Sequence, residues 1–145
     1  MLFRSHLGPA HTDGDLIFGF PAEHVLQMGD MFFNGSLPFI DVAQGGDFAG
    51  LTAQITAICG WLPEDAKGIP GHGPVAGRHD LERYRDFLKA VQAHALGHPD
   101  QEPAALAASF PRAAWADFKP IEGFVSWASL FGAVTGKGPG RETKP

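Results

Sequence analysis

GPAHTDGD, residues 8–15, places a histidine and two aspartates on a short loop, directly before the apolar run Leu16–Ile17–Phe18. Two later stretches belong with it, GDMFFNG at 29–35 and GIPGHGPV at 68–75. Each brings one metal-type donor beside glycine: His11 between Gly8 and Gly14, Asp30 after Gly29, His72 between Gly71 and Gly73. Glycine lets the backbone turn sharply, so a neighbouring side chain can point back over a sheet edge. Imidazole with carboxylate suits zinc or another first-row metal, and a carboxylate can bridge two metals. The residue types alone leave a second reading open. His11 and His72 would then be loop histidines bonded to backbone, and Asp30 a turn residue.

The hydrophobic pattern places these donors at strand ends. Residues 2–7, 15–20 and 24–28 read as strands, with a hairpin turn at 21–23, and Gly29–Asp30 ends the third. A loop over 31–46 follows, long enough to be functional or mobile. Asp47 caps a helix to about Cys59, with Leu51, Ile55, Ile58 and Cys59 on one stripe. A short buried strand at 66–70 runs into His72. Asp80 caps the next helix, to about Leu96, with Gly97 at its stop and Leu81, Tyr84, Leu88 and Val91 on its buried face. Shorter helices are expected at 103–109 and 121–134, around the aromatic segment 115–118, and a disordered tail from Thr135. This order makes an α/β arrangement with helices over one face of a sheet. In such sheets the loops at strand ends carry the site.

Composition narrows the classes. The 145 residues suit one compact domain. A net charge of −5, with no stripe of positive residues, argues against nucleic acid and anionic membranes as partners. No apolar run reaches the ~18–20 residues of a membrane-spanning helix, and MLFRSHLG has no signal-peptide core. Cys59 is the single cysteine, so no internal disulfide exists, and it falls on a helix's apolar face as inert core. No G-x-S-x-G is present, which removes a serine-hydrolase elbow. GAVTGKG lacks both the spacing and the hydroxyl of a phosphate loop.

HTDGD, GDMFFNG and GIPGHGPV, in this order and separation, resemble the C-terminal half of the metallo-β-lactamase superfamily. The likeness runs from about Leu7 to Gly77. It is closest to the MBL-fold metallo-hydrolases with GPAHTDGD and a PFID…GG loop, here Pro38–Asp41 and Gly45–Gly46. The resemblance implies an α/β fold, the C-terminal half of an αβ/βα sandwich with extra C-terminal helices. Residues 1–96 would form the half-domain, 97–134 a helical extension and 135–145 the tail. It implies a dinuclear zinc site, with His11 on the first metal, Asp30 bridging, and His72 on the second. A metal-bound water would be the nucleophile, with no catalytic side chain of its own. The substrate would be a small molecule: a lactam, thioester, lactone or other ester.

Thr12, Asp13 and Asp15 are candidates to orient His11, or simply to close the turn. Phe32, Phe33 and Asn34 are candidates for a substrate loop, against core for the rings and a turn for Asn34. Asp41 has no assigned role. His6, His24, His79, His94 and His98 read as surface residues. The family's His-X-His-X-Asp-His is absent from this sequence. The chain therefore reads as truncated, with fewer or weakly bound zinc ions and little activity alone. The alternative is an inactive fragment or half-domain that needs a partner chain. Leu16, Phe18, Val25 and Met28 should form an inner face left bare, so that the chain self-associates or binds the missing N-terminal half.

Overall fold

The computed structural model describes residues 3–137. Five strands form one sheet in sequence order: β1 (Phe3–Ser5), β2 (Ile17–Phe20), β3 (Val25–Phe33), β4 (Lys67–His72) and β5 (Ala76–Gly77). All neighbours are antiparallel except β3 and β4, which run parallel. That parallel pair requires a crossover, and α1 (Phe48–Trp61) supplies it. Then come α2 (Arg78–Gly97), α3 (Pro103–Ser109) and α4 (Trp127–Thr135).

The strand expected to stop at Gly29–Asp30 continues to Phe33. Its pairing with β4 shifts on both sides of Gly29, which sits at φ +53°. The chain bulges there and resumes, as a β-bulge does when it re-aims a side chain. Phe32 and Phe33 therefore lie in a strand, not a substrate loop, and both rings are fully buried. Phe32 packs on Tyr84 of α2, with ring centres 5.1 Å apart.

One face of the sheet is covered. Ile17, Leu26 and Met28 point into a core built with Leu51, Ile55 and Ile58 of α1 and Leu81, Tyr84, Leu88 and Val91 of α2. Cys59 is buried in the same cluster, and burial pushes its thiol pKa up, consistent with an inert side chain. Asp47 does cap α1, accepting from the amides of Ala49 and Gly50; such a cap contributes about 1 kcal/mol. Asp80 is not the cap of α2. That position is Gly77, and Asp80 reaches back from the first turn to accept its amide at 2.9 Å. Gly97 ends α2 from inside the helix.

The opposite face is uncovered among the described residues. Cross-strand partners share a face. Arg4 pairs with Phe18, Phe18 with Gln27, and Gln27 with Ile69. Phe20 pairs with Val25 in the same row-set. Phe18, Val25 and Ile69 are half-buried, while Leu16 and Phe20 are 43% and 38% exposed. Met28, expected on this face, is buried on the helical side because it follows Leu26 by two residues.

The C-terminal segment packs onto α2. Residues 121–125 form a tight turn closed by an Ile121–Val125 bridge, and α4 begins only at Trp127. Leu106, Phe110, Phe118, Leu130 and Phe131 belong to the same buried cluster as the sheet residues. The tail expected from Thr135 starts no earlier than Gly136, since Thr135 ends α4, and Lys137 pairs with Glu102 at 3.2 Å. The remainder of that tail, 138–145, lies outside the described residues.

Arg83 clamps this segment. Its guanidinium lies 4.1 Å over the Trp115 ring and donates to both oxygens of Asp117, at 3.0 and 2.8 Å. The hydrogen bonds from Arg83 hold the Asp117 carboxyl below its ordinary range. A depressed carboxylate pKa stabilises the fold above the unfolded pKa, and that contribution disappears as pH falls through the folded one. The pair is half-exposed, so its worth is about 1 kcal/mol at most. Asp117→Asn should therefore melt below the parent at about pH 7, and the gap should close as pH drops below ~4. Thermal melts of both proteins across that range check this.

Candidate metal centre

One loop and two strands converge where β3 and β4 run side by side. Asp30 stands just past the Gly29 bulge and His72 ends β4. His11 comes from the loop before β2. The Nε2 of His11 lies 3.5 Å from Oδ2 of Asp30, and the Nε2 of His72 lies 3.4 Å from Oδ1. The one carboxylate thus faces two imidazoles through its two separate oxygens. The His11 side chain is 14% exposed, Asp30 39% and His72 49%, so the centre opens to solvent on the His72 side.

Backbone contacts set each side chain. The Nδ1 of His11 is 2.7 Å from the carbonyl oxygen of Phe39. A carbonyl only accepts, so Nδ1 carries the hydrogen and the neutral ring's lone pair sits on Nε2, facing Asp30. Phe39 is held in turn by Phe124, whose ring centre is 4.7 Å away. His72 stacks on Phe33, 4.6 Å between centres and 13° from parallel. Asn34 fastens the strand ends: its amide donates to the His72 carbonyl and its side chain to that of Pro74, both at 2.9 Å. Asn34 is therefore a clasp between β3 and the loop after His72. A Cβ at Gly71 would overlap Oδ1 of Asp30, so glycine there makes room for the shared carboxylate.

The residues proposed to orient His11 do other work. Asp15 accepts from the amide and hydroxyl of Thr12, at 2.9 and 3.0 Å, and Thr12 accepts from the Gly14 amide at 3.2 Å. The two close the turn. Asp13 donates its amide to the Gln44 carbonyl at 2.9 Å. Asp41 caps a short turn by accepting from the Gln44 amide. The acceptor on His11 is the Phe39 backbone, which no side-chain motif marks; only the PFID segment containing it stood out in the sequence. Among the other histidines, His24 pairs with Asp65 at 2.7 Å, and His94 meets Ser109 at 3.0 Å.

The two separations are compatible with ligands that share an ion. Separations of 3.4 and 3.5 Å exceed the ~2.7–3.2 Å of an N–H···O bond. Two ligands ~2.0–2.2 Å from a tetrahedral ion stand about 3.4 Å apart. Among the described residues no three of His, Cys, Asp and Glu close around one point. The arrangement is two histidine–carboxylate pairs with a common member.

Solved structures with this geometry of chain carry one fold. The B3 metallo-β-lactamase BLEG-1 is 32% identical over 60% of this chain and 41% of its own, with a TM-score of 0.51. The metallo-β-lactamase FIM-1 from Pseudomonas aeruginosa, in a mono-zinc form, is 27% identical over 61% and 39%, with a TM-score of 0.52. TTHA1623 in a di-iron-bound form is 29% identical over 59% and 42%, with a TM-score of 0.51. The chain carries the C-terminal half of the metallo-β-lactamase fold. It spans about two fifths of each of these structures. No family model and no curated protein matches it.

A cavity of about 380 Å3 lies elsewhere in the metallo-β-lactamase half-fold, at the start of β3 between Phe20, Trp61 and Leu62. None of the three donors lines it. Gly71→Ala tests the shared carboxylate directly. The added methyl must displace Asp30 and also meets the Gly29 backbone, at a cost of about 1–3 kcal/mol. Binding of cobalt or zinc, followed by calorimetry, should weaken at least tenfold. Gly60→Ala, where a methyl meets nothing within 4 Å, should leave it unchanged.

Proposed function

We propose that this chain forms one wall of a metal-dependent hydrolase site, with His11, Asp30 and His72 as donors and zinc as the metal. The observation that carries the reading is the Asp30 carboxylate facing two imidazoles, one through each oxygen, at ligand–ligand rather than hydrogen-bond distance. Two metallo-β-lactamases above 25% identity, one of them in a mono-zinc form, and the di-iron-bound TTHA1623 support it.

When bound, a zinc pair supplies Lewis acidity and a water acidified to near neutrality. The rest falls to the chain's own residues. His11 presents a lone pair on Nε2 because the Phe39 carbonyl holds the hydrogen on Nδ1. Asp30 balances positive charge on both sides and keeps the two imidazoles in register. The Phe33 ring fixes the plane of His72. The open His72 side admits a small molecule with an electrophilic carbonyl: a lactam, thioester, lactone or other ester. All four share that reacting centre, and the donor set serves any of them.

Three donors are few for two ions, since a zinc site takes three or four protein ligands. We therefore propose that further donors come from polypeptide seated on the uncovered sheet face, either a partner segment or a second copy. Leu16, Phe18, Phe20, Val25 and Ile69 give that face its apolar row. Exposed apolar surface of this kind marks interaction sites.

The test is metal titration and hydrolysis with the purified chain. Zinc or cobalt should bind weakly, with affinity falling tenfold or more in Asp30→Asn and less in His11→Ala or His72→Ala. His94→Ala should bind as the parent does. Turnover of lactam and thioester probes should be slight, and light scattering should show association beyond a monomer. Absence of metal binding would sink the metal reading. Strong turnover by a monomer, lost in His72→Ala, would sink the need for added donors.

A further inference from the structure

The loop that delivers His11 has no strand pairing of its own, yet three consecutive carbonyls of it are collected by α1. The Ala10 carbonyl accepts from the Asp47 amide at 2.8 Å. The Gly8 and Pro9 carbonyls both accept from one group, the Nε2 of Gln54, at 2.9 and 2.8 Å. Two successive carbonyls rarely face one donor, because an extended chain points them apart. Gly8 sits at φ +111°, a conformation that suits glycine, where the chain turns into this loop. A Cβ at Gly50 would overlap the Pro9 carbonyl, so the helix meets this backbone directly.

Gln54 is 8% exposed, one of two buried polar residues among those described. The other, Thr52, bonds within its own helix, to the Phe48 carbonyl. Gln54 instead spends both amide hydrogens on the loop, and its Oε1 has no partner in the described structure. The two carbonyls fix the amide's orientation, since the reversed one would set oxygen against oxygen. An apolar residue would fill this place without leaving a buried acceptor unpaired. The unpaired oxygen makes the contact with the loop the feature that distinguishes glutamine here.

We infer that Gln54 is a positioning residue for His11. It anchors the backbone two and three residues before the ligand, while the Phe39 carbonyl fixes the ring from the far side. Between these two anchors the Nε2 of His11 has one place to stand, opposite Oδ2 of Asp30. The functional meaning of that placement rests on the metal reading above; the placement itself does not.

The experiment uses the full chain without metal, then with cobalt. Hydrogen-bond scalar couplings from the Gln54 side-chain amide to the Gly8 and Pro9 carbonyl carbons should be present in the parent, and their absence overturns the inference outright. In Gln54→Leu, amide exchange at Ala10, Thr12 and Asp13 should quicken at least tenfold beyond any change at α1 amides. The His11 ring should pass from a single Nδ1–H tautomer to a mixture, read from its 15N shifts. Gln54→Glu, which sets oxygen against both carbonyls, should do the same if the leucine variant does not fold. Thr52→Ala controls for general loosening and should leave the His11 ring as it was. Loop exchange that rises only in step with α1, or a His11 ring unchanged in the Gln54 variants, contradicts the inference. Cobalt should bind at least tenfold more weakly to the Gln54 variant. If the parent binds no cobalt, the metal reading falls alone, and exchange and tautomer still judge Gln54.

Discussion

A carboxylate set between two imidazoles, with no hydrogen-bond geometry to either, is the constraint around which this chain is arranged. The two contacts of Asp30, 3.5 Å to His11 and 3.4 Å to His72, are longer than the ~2.7–3.2 Å of an N–H···O bond. A strand residue would not be held so by chance. Gly29 bulges the strand to aim it, Gly71 leaves room for its Oδ1, and the parallel β3–β4 pairing brings His72 alongside. The crossover helix α1 exists because those two strands are parallel, and the same helix then holds the loop that brings His11.

The site is built mostly by backbone. The Phe39 carbonyl orients His11, the Asn34 amide bonds the His72 carbonyl, and the Asp41 amide bonds the His11 carbonyl at 2.8 Å. Gly46 is pressed against that same His11 carbonyl, where a Cβ would overlap it. The C-terminal segment joins in through Phe124, which packs on Phe39, and through Lys119, whose carbonyl accepts the Leu37 amide at 2.9 Å. Residues after α2 therefore buttress the loop behind His11 as well as covering the helices.

What could be read from the sequence follows from how each feature is encoded. Asp47 as a cap and the Leu51–Ile55–Ile58 stripe are local signals of capping and helical period, and the structure keeps both. Glycine-flanked His and Asp at strand ends mark His11, Asp30 and His72 only as candidates; the resemblance of their three segments to one family singles them out, and the structure brings those three side chains together. The end of β3 was missed because Gly29–Asp30 imitates a stop. A bulge and a turn use the same residues, and only pairing with a distant strand separates them. For Phe32 and Phe33 the sequence leaves substrate loop and core both open, and the continued strand decides for core. Phe39's carbonyl and Gly71's clearance had no side chain to announce them. Met28 cannot share a face with Val25, three residues before it in the same strand; it shares one with Leu26.

The most direct test is crystallographic: crystals of the chain soaked in zinc, with anomalous differences collected at the zinc edge. The account predicts two peaks, one between Nε2 of His11 and Oδ2 of Asp30, the other between Nε2 of His72 and Oδ1. Each should stand ~2.0–2.2 Å from its two ligands. A map with no peak at Asp30, and zinc only at surface histidines such as His94 or His98, would contradict it.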